Sequence, residues 1–197
     1  MSAAKIDIAV FISGRGSNME ALIEACSAPD FPARIAVVFS NDPDAPGLEK
    51  ARAAGLQTAA INHKNYDSRE TFEDAIIETL APFDPQLICL AGFMRLLTPH
   101  FINHYENRIL NIHPSLLPDY KGLHTHERVL ADGKDQSGCT VHYATAKMDE
   151  GEIITSRAVP VLADDTPATL AARILQQEHI AYPQALKIAA EKILHNS

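Results

Sequence analysis

The sequence predicts an α/β fold: a doubly wound, mostly parallel sheet with helices on both faces and an antiparallel hairpin at its C-terminal edge. Three observations predict it. From Ile6 onward, short apolar runs alternate with amphipathic stretches. The early runs are nearly continuous rather than alternating, the pattern of strands covered on both faces. A glycine-containing turn joins the first run to the first amphipathic stretch, and doubly wound folds hold phosphates at that turn. The 197 residues suffice for a real core and predict a single domain over 1–197.

Ile6 to Ile12 reads as the first strand, apolar except for Asp7. Ser13-Gly14-Arg15-Gly16-Ser17-Asn18 follows, then Met19, Leu22, Ile23 and Cys26 at helical spacing. Ser17 or Asn18 is expected to cap that helix, and free amides at its start favour a phosphate. Met19 stands where a dinucleotide fingerprint has its third glycine, which points to a single phosphate group. The plainer alternative is an ordinary βα turn. Arg34 to Ser40 is the second strand; Leu48 to Ala54 is a short helix stopped by Gly55. Gln57 to Asn62 can form a third strand. Asp67-Ser68-Arg69-Glu70 opens a helix with Phe72, Ala75, Ile76 and Leu80 on one face. Gln86 to Ala91 is a fourth buried strand, and Thr98-Pro99 starts another helix.

The fifth strand is Ile109-Leu110-Asn111-Ile112-His113, stopped by Pro114. Side chains on a strand repeat every two residues, so Asn111 and His113 share one face and Leu110 and Ile112 the other. An amide donor beside a titratable base at a strand's carboxyl end suits acyl transfer. Two satisfied polar side chains in a buried strand would look the same. The stretch 119–126 follows Pro118 and is assigned no element. Its His124 and His126 do not suggest a metal, because residues two apart point away from each other on helix and strand alike. Thr140 to Ala144 alternates like a half-buried strand, with His142 as a polar strand residue. A loop over 145–151 leads to Ile153-to-Val161, giving the edge hairpin. The long helix from Thr166-Pro167 carries Glu178 and His179 and is expected to be interrupted near Pro183.

Composition narrows the function. The net charge is -8 with no dense Lys/Arg run, which argues against nucleic acid. Three scattered cysteines, Cys26, Cys89 and Cys139, predict reduced thiols in a cytoplasmic protein. No apolar run is long enough for a membrane span, and the N-terminus is not a signal peptide. No Ser or Cys stands out as a nucleophile, so direct transfer onto an amine is simpler than a covalent intermediate. Whether Asp149 reaches His113 cannot be read from spacing.

Five stretches together resemble the phosphoribosylglycinamide formyltransferases of the formyl-folate transferase family. They are Ile12-Ser13-Gly14-Arg15-Gly16-Ser17-Asn18, Ala91-Gly92-Phe93-Met94-Arg95-Leu96-Leu97, Leu110 to Pro118, Gly122-Leu123-His124-Thr125-His126 and Gln177-Glu178-His179. The resemblance spans nearly the whole chain. It implies a Rossmann-like domain whose first half, 1–100, carries the phosphate turn, and whose second half, 101–197, carries catalysis and the folate loop. It implies two small-molecule substrates, glycinamide ribonucleotide and 10-formyltetrahydrofolate, no metal, and a monomer or weak homodimer. Gly16, Ser17 and Asn18 would hold the ribonucleotide phosphate; Gln176, Gln177 and Glu178 would meet its ribose and glycinamide. Met94, Arg95, Leu96 and Leu97 would line the pterin pocket, with Arg69 at the folate tail. The loop Thr145, Ala146, Lys147, Met148 and Asp149 would close on the pterin. Asn111, which would also touch the folate, and protonated His113 would stabilise the oxyanion. Asp149 would support that protonation and move protons, with His124 assisting.

Three departures accompany the resemblance. Arg15 stands where many relatives have a small or polar residue, Lys121 replaces a frequent proline, and Asp149 is followed by Glu150-Gly151-Glu152 rather than a small residue and Gly-Pro. Two other formyl-folate enzymes are the alternatives. A methionyl-tRNA formyltransferase would carry a C-terminal RNA-binding domain and a formyl-folate hydrolase an N-terminal regulatory one; neither is expected here. A non-enzymatic nucleotide-binding module would explain the turn but not the Asn111/His113 pair.

Overall fold

A computed structural model describes residues 4–196, so the first three residues of the N-terminus read above lie outside it. The elements run β1 (Ile6–Ile12), α1 (Ser17–Ser27), β2 (Ala33–Ser40), α2 (Pro46–Ala53), β3 (Thr58–Ala60), α3 (Arg69–Leu80) and β4 (Leu87–Leu90). They continue with α4 (Pro99–His104), β5 (Ile109–His113), α5 (Thr125–Ala131), β6 (Gln136–Tyr143), β7 (Ile153–Pro160) and α6 (Pro167–Asn196). One sheet of seven strands has the order β3-β2-β1-β4-β5-β6-β7. β1 to β5 are parallel, whereas β6 is antiparallel to β5 and β7 to β6. The chain leaves β1 for β2 on one side and returns to β4 on the other, which opens a crevice at the carboxyl ends of those strands.

The period-two rule sorts β1 between two cores. Ile6, Ile8, Val10 and Ile12 pack with Met19 and Leu22 of α1 and Leu170, Ile174 and Tyr182 of α6. Ala9 and Phe11 point the other way, towards Phe72 and Ile76 of α3 and Phe101 of α4. Phe11 lies 4.8 Å from Phe39 and 5.2 Å from Phe93, centroid to centroid. Such aromatic pairs add about 0.5–1.5 kcal/mol each beyond area burial. Phe93 thereby ties the segment after β4 to the core.

Three expectations differ from the structure. α5 forms where the sequence assigns no element, because in its seven residues only Thr125 and Val129 are fully buried and no apolar stripe shows. β6 begins at Gln136 rather than Thr140; its first half includes Ser137 and Gly138, buried but without the bulk that marks a strand. α6 is not interrupted at Pro183 but runs through it. Proline removes one helical donor, yet Ala181, Tyr182, Ala185 and Leu186 on either side are completely buried, and this packing holds the helix. No helix among the described residues is long and apolar enough to cross a membrane.

Candidate active site

The carboxyl ends of β1, β4 and β5 converge on one crevice. On its β1 side, α1 starts at Ser17 behind Gly16, which takes φ 70° at the cap position with no side-chain cap bond. The expected capping by Ser17 or Asn18 is therefore corrected. Both residues lie inside the helix, Ser17 one step and Asn18 two steps past the position from which a side chain caps. Among the described residues the first-turn amides have no side-chain partner, and the positive end of the helix faces that space. Asn18 is buried; its Nδ2 donates to Glu178 Oε2 at 2.7 Å, and its Oδ1 has no hydrogen-bond partner among the described residues.

Glu178 arrives from α6. Tyr182, one turn on, donates its hydroxyl to the carbonyls of Leu90 and Leu110 and so pins α6 across the ends of β4 and β5. Burial pushes the Glu178 carboxyl above the ordinary 4.5, with the Asn18 amide pulling the other way. A raised value in the folded state contributes stability below the unfolded pKa and loses it as pH rises through the folded one. Glu178→Gln should therefore match wild type in melting temperature under acid and gain on it towards neutral pH. A difference that stays constant across that range overturns the assignment. Gln177 is half-buried and Gln176 exposed, so helical phase turns Gln176 away while Glu178 faces α1.

β5 presents Asn111 and His113 on the face opposite Leu110, and its antiparallel neighbour matches Asn111 to His142 and His113 to Thr140. Thr140 Oγ1 donates to the Ser115 carbonyl at 2.7 Å and accepts the Leu117 amide at 3.0 Å, anchoring the turn after β5. That turn carries the Tyr120 carbonyl onto His113 Nε2 at 2.9 Å. His113 is 6% exposed, and its Nδ1 lies 3.4 Å from Asp149 Oδ2. The same oxygen accepts the Gly122 amide at 2.9 Å, while Asp149 Oδ1 is 3.6 Å from His142 Nε2. His142 Nδ1 donates to the Tyr143 carbonyl at 2.9 Å, and its Nε2 meets Asn111 Nδ2 at 3.2 Å. Nε2 thus accepts from the amide when the ring is neutral and donates to Asp149 when it is charged. Burial pushes Asp149 up, but the His142 hydrogen bond, the Gly122 amide and the two imidazole charges outweigh it and hold the carboxyl below 3.8.

His142, read as a plain strand residue, is thus the site's missed member: it is 2% exposed and bridges Asn111 to Asp149. Its signal is present in the sequence, since Thr140 and His142 repeat the two-residue spacing of Asn111 and His113 on the adjacent strand. His124 is the converse. It sits at φ 57° ahead of α5, its side chain is 76% exposed, and it approaches Glu127 at 3.9 Å rather than His113. Its expected assistance to the network is corrected, because left-handed backbone at the helix start turns it outward. His126 faces inward instead: its Nδ1 is buried without a hydrogen-bond partner among the described residues, and burial lowers its pKa, with Glu127 opposing and His113 adding to the fall.

The remaining expected residues are exposed or half-buried. Met94 and Leu96 are exposed, Arg95 and Leu97 half-buried, and the Met94 amide donates to Ser13 Oγ at 2.7 Å. Thr145, Ala146, Lys147 and Met148 are exposed on the β6–β7 connection, and Arg69 opens α3 at the surface. A family model described as formyl transferase matches residues 6–186. The chain belongs to the formyl transferase family. This formyl transferase is 44% identical to phosphoribosylglycinamide formyltransferase of Escherichia coli over 94% of its own length and 88% of that protein. It is 47% identical to the trifunctional purine biosynthetic protein adenosine-3 of Gallus gallus, of which it spans 18%. A crystal structure of phosphoribosylglycinamide formyltransferase from Brucella melitensis superposes with TM-score 0.90 at 55% identity, covering 94% of this chain and 96% of that one. Glycinamide ribonucleotide transformylase 1 from Symbiobacterium toebii gives 0.92 at 46%, covering 95% and 89%.

Proposed function

We propose that this formyl transferase moves the formyl group of 10-formyltetrahydrofolate onto the amino group of glycinamide ribonucleotide, in the cytoplasm. The reading is carried by identity along nearly the full length of the Escherichia coli enzyme, at 94% of one chain and 88% of the other. The gathered Asn111, His113, His142 and Asp149 support it.

Gly16, Ser17 and Asn18 hold the ribonucleotide phosphate on the uncapped start of α1, and Glu178 with Gln177 meets the sugar and glycinamide. The apolar side chains of Met94, Leu96, Leu97 and Met148 wall the folate ring, with Arg95, Asn111 and the 145–149 loop around it and Arg69 at its tail. The amine's lone pair forms a C–N bond to the formyl carbon, and the carbonyl π pair moves onto oxygen. Asn111 Nδ2 and protonated His113 donate to that oxygen, the imidazole through Nδ1 because its Nε2 is held by the Tyr120 carbonyl; one such donor is worth about 10²–10³ in rate. Asp149 holds the imidazolium and passes a proton from the attacking amine to the folate nitrogen that carried the formyl group; the oxygen's pair then re-forms the carbonyl as the bond from the formyl carbon to that nitrogen breaks, releasing tetrahydrofolate and the formylated ribonucleotide. The 3.4 Å gap between His113 and Asp149 is longer than a working hydrogen bond. At that distance Asp149 favours the charged ring while the Nδ1 proton remains free to turn to the oxyanion.

Purified protein mixed with 10-formyltetrahydrofolate should release tetrahydrofolate only when glycinamide ribonucleotide is present, with one formylated ribonucleotide per turnover. Equal folate turnover without the ribonucleotide would make the protein a hydrolase, and no turnover in either mixture would leave a binding module.

A further inference from the structure

Two of the three departures from the family resemblance meet each other. Lys121 Nζ lies 2.9 Å from Glu150 Oε1, and both side chains are partly exposed. Each is the immediate chain neighbour of one partner in the Gly122–Asp149 bond, itself 2.9 Å. Two contacts therefore run side by side between the same two loops: a backbone-to-carboxylate bond inside and an ion pair at the rim.

The loop bearing Lys121 is firmly held. Arg128 Nη1 donates to the Lys121 carbonyl at 2.7 Å, and its guanidinium lies 5.3 Å from the Tyr120 ring centroid. Tyr120 in turn donates its hydroxyl to Asp132 Oδ2 at 2.8 Å. The loop bearing Asp149 is fixed less directly. Its return end pairs through Tyr143 N and the Glu152 carbonyl at 2.9 Å, whereas Thr145 to Met148 are exposed and, among the described residues, the Thr145 side chain bonds only within the loop. Asp149 itself takes φ 53°, a conformation that a free aspartate rarely holds.

We propose that the Lys121–Glu150 ion pair is a latch that clamps the Asp149 loop onto the 120–122 turn and so keeps the carboxylate against His113 and His142. Lys121 and Glu150 are positioning residues, and the proposal rests on the transferase reading for its kinetic consequence. Lys147, 3.8 Å from Glu150 within the same loop, steadies the carboxylate but does not join the loops. The Lys121 hydrogen bond, with its charge, also holds the Glu150 carboxyl below its ordinary range.

An exposed pair changes an equilibrium about two- to fivefold. Lys121→Met and Glu150→Gln should each lower kcat by that factor, with the KM for ribonucleotide little changed because its binding groups lie on α1 and α6. The double charge swap, Lys121→Glu with Glu150→Lys, should recover most of the loss. Amide hydrogen exchange at Gly122 tests the latch without any turnover: exchange should quicken by a similar factor in each single variant and return in the swap. Unchanged Gly122 exchange in the single variants overturns the latch, as does a swap no better than either single change. Absence of ribonucleotide-dependent transfer in the wild type, with quickened Gly122 exchange in the variants, overturns the transferase reading and leaves the latch standing.

Discussion

His113→Ala should lower kcat by about 10²–10⁴, the usual range for a positioned acid–base group, while glycinamide ribonucleotide still binds. The split follows from geometry. His113 and Asp149 meet on the β5 side of the crevice, whereas Asn18 and Glu178 meet between α1 and α6. Asp149→Asn should lose at least about 10² in kcat. Asparagine can still accept the Gly122 amide through its oxygen but brings no charge to the two imidazoles. Saturating turnover measured beside calorimetric ribonucleotide binding checks both, and either variant turning over near the wild-type rate refutes the role given to that residue. The pH dependence has a defined sign. With the Asp149 carboxyl held below 3.8, its charge is present at neutral and mildly acidic pH. An acid limb in that range must therefore come from another group. The stability that Asp149 contributes exists above its unfolded pKa and disappears as pH falls through the folded one. Wild type and Asp149→Asn should thus converge in melting temperature only below about pH 4.

The parallel half of the fold was legible because burial on both faces writes itself into composition. β1, β2 and β4 could be nothing but buried strands, and their glycine and proline stops are local. α5 and the first half of β6 were not, because small and polar residues were buried there by neighbours far along the chain. The site divides the same way. Asn111 and His113 share a face by a rule that acts over two residues. Their connection to His142 depends on the β5–β6 register, and their connection to Asp149 on where a loop folds back; neither is a local property. The family resemblance pointed to Asp149 but missed His142, and it named His124 although the backbone turns that residue outward. Physical reading of the strands would have found His142 once antiparallel pairing was assumed, whereas the turn of His124 depends on the backbone at the start of α5.

Gly151→Ala should be nearly as damaging to turnover as loss of a catalytic group, although no reacting atom touches this residue. A Cβ at Gly151 would overlap the Tyr143 carbonyl oxygen and stand 3.3 Å from Thr145 Cγ2. Backbone cannot yield as a flexible side-chain end can, so either the loop or the strand end must shift. Both shifts reach the site. Asp149 is two residues before the clash, and the Tyr143 carbonyl is the acceptor that orients His142. A displacement near 1 Å at reacting groups costs about 10²-fold in rate, and kcat should fall by that amount. Ribonucleotide affinity should hold, because Gly16 to Asn18 and Glu178 belong to other elements. Strain of about 1–3 kcal/mol should appear as a lower melting temperature. Gly55→Ala separates strain from misplacement: Gly55 has φ 77° and open space where a Cβ would go, between α2 and β3. A left-handed alanine there costs about 1–2 kcal/mol and should leave kcat unaltered. If Gly151→Ala kept the wild-type rate, the loop would not be what holds Asp149 against His113.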